Sequence, residues 1–148
     1  MPTKQTTRSS ATKRRSAAAP RPTQRTVIMT DLAPKAIGPY SQAIKVNSLV
    51  YAAGQAAIDP ATGKLIEGDV AAQTRRVLMN LSAVLEAAGT SMSKAVKTTV
   101  FMADLTQFST MNAVYAEFFP ANPPARSTVG VAALPLGALV EIEVVALA

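Results

Sequence analysis

The chain has no cysteine, no histidine and no tryptophan. Those absences exclude a disulfide framework, a cysteine nucleophile, a Ser-His-Asp triad and any zinc site built on Cys or His. Catalysis therefore has to draw on carboxylates, tyrosine, lysine, arginine, hydroxyls, backbone groups or water. Aromatic residues are scarce at 5% of the 148 residues, while apolar residues reach 49%. The core must consist mainly of Ala, Val, Leu and Met, with small side chains and closely packed elements. No apolar run approaches the roughly 18 uncharged residues of a membrane helix, which predicts a soluble chain. The length fits one folded domain. The acids Asp31, Asp59, Glu67, Asp69, Glu86, Asp104 and Glu117 are scattered without metal-loop spacing, so no metal is expected.

Acidic residues are also absent from residues 1–30, which carry Lys4, Arg8, Lys13, Arg14, Arg15, Arg21 and Arg25. The formal net charge of +6 belongs to this stretch, because residues 31–148 hold eight basic and nine acidic residues. Residues 1–26 are rich in Ser, Thr, Ala and Pro and poor in large apolar groups, a composition that cannot offset the entropy of ordering. They read as a disordered basic extension ahead of a domain at 27–148. Three explanations stand beside one another: a mitochondrial or plastid transit peptide, a basic arm for nucleic acid, or translation from a start upstream of Met29. A cytoplasmic location is expected, with mitochondrion or plastid the alternative if the extension is a transit peptide.

Beyond the extension the pattern becomes regular. Residues 42–47 and 49–53 read as strands around a turn at Asn47-Ser48, and Asp59-Pro60-Ala61-Thr62-Gly63 reads as a loop turn. Asp69 is a helix N-cap before Val70 to Ala88, and Gly89 suits the position after the last turn. Val70, Val77, Leu78, Leu81, Val84, Leu85 and Ala88 share one face of that helix. A strand follows at 95–102. Asp104 or Thr106 then caps a second helix that runs through Phe108, Met111 and Tyr115 to Phe119, where Pro120, Pro123 and Pro124 stop it. Two last strands are expected at about 125–132 and 139–147. The order is β-β-α-β-α-β-β, an α+β sandwich with both helices on one face of a mixed sheet. The final strand is apolar except at its glutamates, so its second face needs a covering partner, which argues for an oligomer.

Arg126 is the only arginine or lysine in residues 98–148 and stands at the mouth of a strand, in Pro123-Pro124-Ala125-Arg126-Ser127. Val140-Glu141-Ile142-Glu143-Val144 lies fifteen residues on and carries two carboxylates. A guanidinium that grips a planar carboxylate with two parallel bonds, beside an acid that handles protons, suits a small anionic substrate. An Arg–Glu ion pair or a solvated strand end would use the same residues. Alternation puts Glu141 and Glu143 on one face and does not choose between them. Gly54, at the end of its strand, allows close backbone approach by a neighbour or a ligand.

Gly38-Pro39-Tyr40-Ser41-Gln42-Ala43, Ala53-Gly54-Gln55, Lys97-Thr98-Thr99-Val100-Phe101, Pro123-Pro124-Ala125-Arg126-Ser127 and Glu141-Ile142-Glu143 occur in that order. Together they resemble the Rid/YjgF family of reactive-intermediate deaminases over residues 30–148. The resemblance implies a chorismate-mutase-like (ferredoxin-like) mixed sheet of about six strands, assembled as a homotrimer around a central barrel with sites between subunits. It implies that Arg126 binds a substrate carboxylate, Glu141 positions or activates water, and Tyr40 closes the pocket. Gly54, Asn112 and Thr128 are the implied substrate-binding neighbours, with Gln55 a further one. The implied reaction is hydrolysis of 2-iminobutanoate, 2-iminopropanoate and their enamine tautomers to 2-oxo acids and ammonia, with no cofactor. Two departures bear on substrate preference: Ala53 stands where members often have Ser, and Thr128 where many have Cys. An RNA-directed ribonuclease or translation inhibitor is the alternative. It would draw phosphate affinity from the basic tail, because the body has no basic surplus. A non-catalytic small-ligand binder or chaperone is a third reading.

Overall fold

The computed structural model describes residues 24–148. In chain order the elements are β1 (Arg25–Ile28), β2 (Ala43–Val46), β3 (Leu49–Gln55), β4 (Ile58–Asp59) and β5 (Lys64–Leu65). They continue with α1 (Val70–Ala87), β6 (Ala95–Met102), α2 (Phe108–Phe118), β7 (Ala125–Gly130) and β8 (Val140–Leu147). Six strands form one mixed sheet in the order β1-β2-β3-β8-β6-β7, and β4 and β5 make a separate hairpin. Only β6 and β7 are parallel, joined through α2 as a βαβ unit, and every other neighbouring pair is antiparallel. The α+β class, the six-strand sheet and the two helices agree with expectation.

Two details differ from the sequence pattern. The strand pattern gave five strands, and β1 was not among them. Its short run Arg25-Thr26-Val27-Ile28 abuts the basic stretch and has no alternation long enough to see. Arg25 and Thr26 pair with Val46 and Lys45, so the ordered sheet begins inside the segment read as extension. The rest of that segment, residues 1–23, lies outside the described residues. No helix among those described is long and apolar enough to cross a membrane.

The longest helix is set by its ends. Asp69 accepts from the Ala72 amide at 2.9 Å, satisfying one of the free donors of the first turn. At the other end Gly89 takes φ +82, which costs a glycine little, so that its amide reaches Glu86 O at 2.9 Å. The Thr90 amide reaches Leu85 O at 3.0 Å, completing a Schellman ending. Lys45 of β2 donates to the Ala88 carbonyl at 3.1 Å, placing a cation at the negative helix end. Between the caps Val77, Leu78, Leu81, Val84 and Leu85 are fully buried against the sheet.

β8 occupies the middle of the sheet, and its alternation fixes two unlike faces. Val140, Ile142, Val144 and Ala146 are buried on the helix side. Glu141, Glu143, Val145 and Leu147 point to the other face, which carries no second layer among the described residues. Along one ladder that open face runs Val27, Ile44, Tyr51, Val145, Lys97 and Ala125. Along that ladder the surface is apolar apart from Lys97, and Glu141 and Glu143 lie beside it on the same face.

Asp69→Ala should cost about 1 kcal/mol of stability through loss of the cap, with the fold retained. Urea unfolding followed by circular dichroism measures it, and an unchanged midpoint would remove the cap from this account.

Candidate functional site

Glu141 starts the open face of β8 where β3 makes an irregular turn away from it. The β3–β8 register shifts between Ala52 and Gln55, and Gly54 lies in that shift. A Cβ placed on Gly54 would stand 2.1 Å from Glu141 Oε1 and 2.9 Å from its Cδ. The carboxylate therefore occupies the space a side chain at position 54 would fill, and close approach is what demands glycine there. Tyr40, half exposed, comes in from the loop before β2, its hydroxyl 3.4 Å from the Ile37 amide. Tyr40, Gly54 and Glu141 line one cleft of 390 Å³ with Ala53 and Gln55. Apolar walls come from Ile37, Ile58 and Leu136, and Lys35 stands at the edge.

Burial holds the Glu141 carboxyl above the ordinary glutamate range, and the charge of Glu143 two residues along adds to the effect. A carboxylate raised in this way is a better proton acceptor near neutrality than a free one. Leu136 at the cleft mouth has φ +59, a left-handed conformation costing a non-glycine residue about 1–2 kcal/mol. Strain of that kind gathers at working surfaces, and nothing in Leu134-Pro135-Leu136-Gly137 marks the leucine for it.

Arg126 lies elsewhere. Its register partner on β6 is Thr98, a fully buried residue on the helix side of the sheet. The guanidinium carbon sits 4.5 Å from the Tyr115 ring centroid and 5.5 Å from that of Phe108. Such stacking is worth about 0.5–1 kcal/mol at a half-exposed position and fixes the plane of the fork. Tyr115 is itself pinned, since its hydroxyl shares a 2.7 Å hydrogen bond with Thr98. Burial pushes that hydroxyl's pKa up, against the opposing pull of the Thr98 bond and the Arg126 charge, so it stays protonated beneath the cation.

Asn112, Tyr115, Phe119, Pro123 and Arg126 line a second cleft of 280 Å³. Thr128 lies two residues along β7 on the same face, its hydroxyl buried without a hydrogen-bond partner. Among the described residues Arg126 makes no ion pair; the pairs present are Lys35–Asp31 and Arg75–Glu117.

The expected residues thus fall into two groups. Tyr40, Gly54 and Glu141 meet in one cleft, and Arg126 and Asn112 in another. The strands that carry the cation and the acid are not neighbours in the sheet. β6 lies between β7 and β8, and alternation turns Arg126 and Glu141 to opposite faces of the sheet. The ion pair weighed as the bland alternative is ruled out within one chain by the same geometry.

Comparison with known proteins gives these halves a context. The family described as Endoribonuclease L-PSP matches residues 30–148. The chain is 52% identical over 120 residues to Reactive Intermediate Deaminase A, chloroplastic, of Arabidopsis thaliana, covering 81% of this chain and 64% of that one. It is 47% identical over 123 residues to human 2-iminobutanoate/2-iminopropanoate deaminase, covering 83% and 90%. A solved structure of a conserved Rid-family protein from Yersinia pestis superposes with TM-score 0.82 at 54% identity, covering 84% of this chain and 100% of that one.

Glu141 should titrate above the ordinary glutamate value, and Glu143→Gln should lower its midpoint without returning it fully, because burial is the larger cause. The native state then binds its proton more tightly than the unfolded chain, so stability falls as pH rises through that window, and Glu141→Gln removes the fall. Carboxyl-carbon NMR titration is the check; a midpoint at or below the ordinary value would contradict it.

Proposed function

The chain belongs to the Rid/L-PSP family, and from that premise we propose that it hydrolyses 2-imino acids and their enamine tautomers to 2-oxo acids and ammonia, at sites completed between subunits of a homotrimer. The observation that carries this reading is the division of the candidate site. A guanidinium without a carboxylate partner lies on one sheet face, and a proton-accepting glutamate in an apolar cleft lies on the other. Neither half suffices for the chemistry, and a cyclic assembly can set one subunit's Arg126 against the next subunit's Glu141. The exposed apolar residues of the open face, Tyr51 and Val129 among them, give such an assembly its driving force.

In this scheme Arg126 holds the substrate carboxylate by two parallel hydrogen bonds and sets the C=N carbon over the Glu141 cleft. Glu141 orients a water and takes its proton as the oxygen attacks that carbon. The carbon–nitrogen double bond becomes single in the tetrahedral carbinolamine, and Glu141 returns the proton to nitrogen. Glu141 then takes the carbinolamine hydroxyl proton and passes it to the amino nitrogen, so that the carbon–oxygen double bond forms as the carbon–nitrogen bond breaks, giving the 2-oxo acid and ammonia. Tyr40 closes the cleft, and Gly54 with Asn112 and Thr128 shapes the surroundings of the bound acid. Imines hydrolyse unaided, so positioning and one proton transfer are acceleration enough, and the scheme uses no cofactor. The ribonuclease in the family's description is the weaker reading. Residues 31–148 carry eight basic against nine acidic residues, a poor surface for a polyanion. We place the activity in the cytoplasm, with an organelle the alternative if the basic residues 1–26 direct import.

Arg126→Lys should lose activity nearly as completely as Arg126→Ala, by roughly a hundredfold or more, because a point charge does not replace the planar fork. Release of 2-oxo acid from 2-iminobutanoate made in situ by threonine dehydratase measures it, and near-wild-type turnover by the lysine variant would sink the bidentate scheme. Arg126→Ala and Glu141→Ala subunits, each inactive alone, should regain roughly a quarter of wild-type activity when unfolded and refolded together in equal amounts. No recovery from verified mixed trimers would place the whole site in one chain.

A further inference from the structure

We propose that three buried carboxamides, Gln42, Gln73 and Asn80, are positioning residues, each holding one of the loops that wall the Glu141 cleft. The inference rests on the deaminase reading for its effect on turnover. All three side chains are nearly inaccessible, at 3%, 4% and 1% exposed. None touches the cleft; each reaches a loop that does.

Gln42, just ahead of β2, accepts from the Thr30 amide at 2.7 Å. Its Nε2 donates to the carbonyls of Thr30 at 3.0 Å, Ala33 at 3.3 Å and Pro34 at 2.7 Å. Pro34 and Lys35 form the first wall. The backbone carbonyl of Gln42 also accepts from the Ala53 amide at 2.9 Å, so one residue joins that wall to the strand bearing Gly54. Asn80 of α1 donates to Ala56 O at 3.2 Å and to Ile58 O at 2.9 Å. Ala56 and Ile58 form the second wall. Gln73, two turns earlier on α1, accepts from the Leu139 amide at 2.8 Å. Leu139 ends the loop whose Pro135 and Leu136 form the third wall.

Asn80 Oδ1 is buried without a partner, a cost borne while its Nδ2 pairs the Ala56 and Ile58 carbonyls. What the asparagine supplies is the pair of donors that fix the loop. Two of the three residues belong to α1, so the longest helix serves as the rigid frame from which two walls hang. Loop placement sets the distance between Glu141 and a bound substrate, and an error of about 1 Å there costs on the order of a hundredfold in rate.

The test uses the full chain with Gln42→Leu, Gln73→Leu and Asn80→Leu, beside Leu81→Ala as a control. Leu81 is a fully buried α1 residue whose loss destabilises the core without releasing a loop. Steady-state kinetics with 2-iminobutanoate, run below every variant's melting temperature, give kcat and KM, and amide hydrogen exchange gives loop order. Each amide variant should raise KM or lower kcat by roughly tenfold or more. It should also speed exchange at its own loop only: 30–35, 137–139 or 56–58 respectively. Leu81→Ala should lower the melting temperature with both constants held. Kinetics that follow melting temperature alone across all variants, or exchange that changes evenly along the chain, overturns the inference. An inactive wild type overturns the deaminase function instead, and the hold on the loops is then decided by exchange, with even change counting against it.

Discussion

The alternation of β8 is the constraint on which the rest of the molecule depends. Val140, Ile142, Val144 and Ala146 are buried beneath α1, each large side chain contributing about 1.5–3 kcal/mol of burial. A slip of one residue would send Glu141 and Glu143 under the helix instead, at a penalty of several kcal/mol per ion. Register is therefore held from both sides, by what the helix attracts and by what it refuses. The same register delivers Glu141 to the open face. Through β6 it also decides that Arg126, one strand further out, turns the opposite way.

Local chemistry made much of this fold visible in the sequence. Asp69 and Gly89 marked α1 because caps are written in single residues. Pro120, Pro123 and Pro124 marked the end of α2. β1 escaped because four residues beside a charged stretch carry too little periodicity to separate strand from tail. Strand order is a property of the whole sheet, and so the intervening β6 was not visible from the spacing between Arg126 and Glu141.

The site was legible in its residue types and not in its arrangement. Tyr40, Gly54 and Glu141 come from three separate motifs and line one cleft. The partners that give Arg126 its orientation, Tyr115 and behind it Thr98, come from a helix and a strand whose contact no local pattern records. Gln42 lies in the Gly38–Ala43 motif without a role its own sequence neighbours reveal, and Gln73 and Asn80 are polar residues within α1. Their bonds span up to 66 positions of sequence, far beyond what periodicity detects. Buried amides are easily read as tolerated exceptions, and only their hydrogen-bond partners show otherwise.

The near contact between position 54 and the Glu141 carboxylate has an evolutionary consequence. With 2.1 Å between a prospective Cβ and Oε1, the two positions cannot drift independently. Any lineage that acquires a side chain at 54 has to turn the Glu141 side chain to another rotamer, and so moves its proton acceptor at the same step. Alanine or serine at 54 is accommodated only when the Glu141 side chain rotates out of the place it now holds, so a change at one position moves the chemistry of the other.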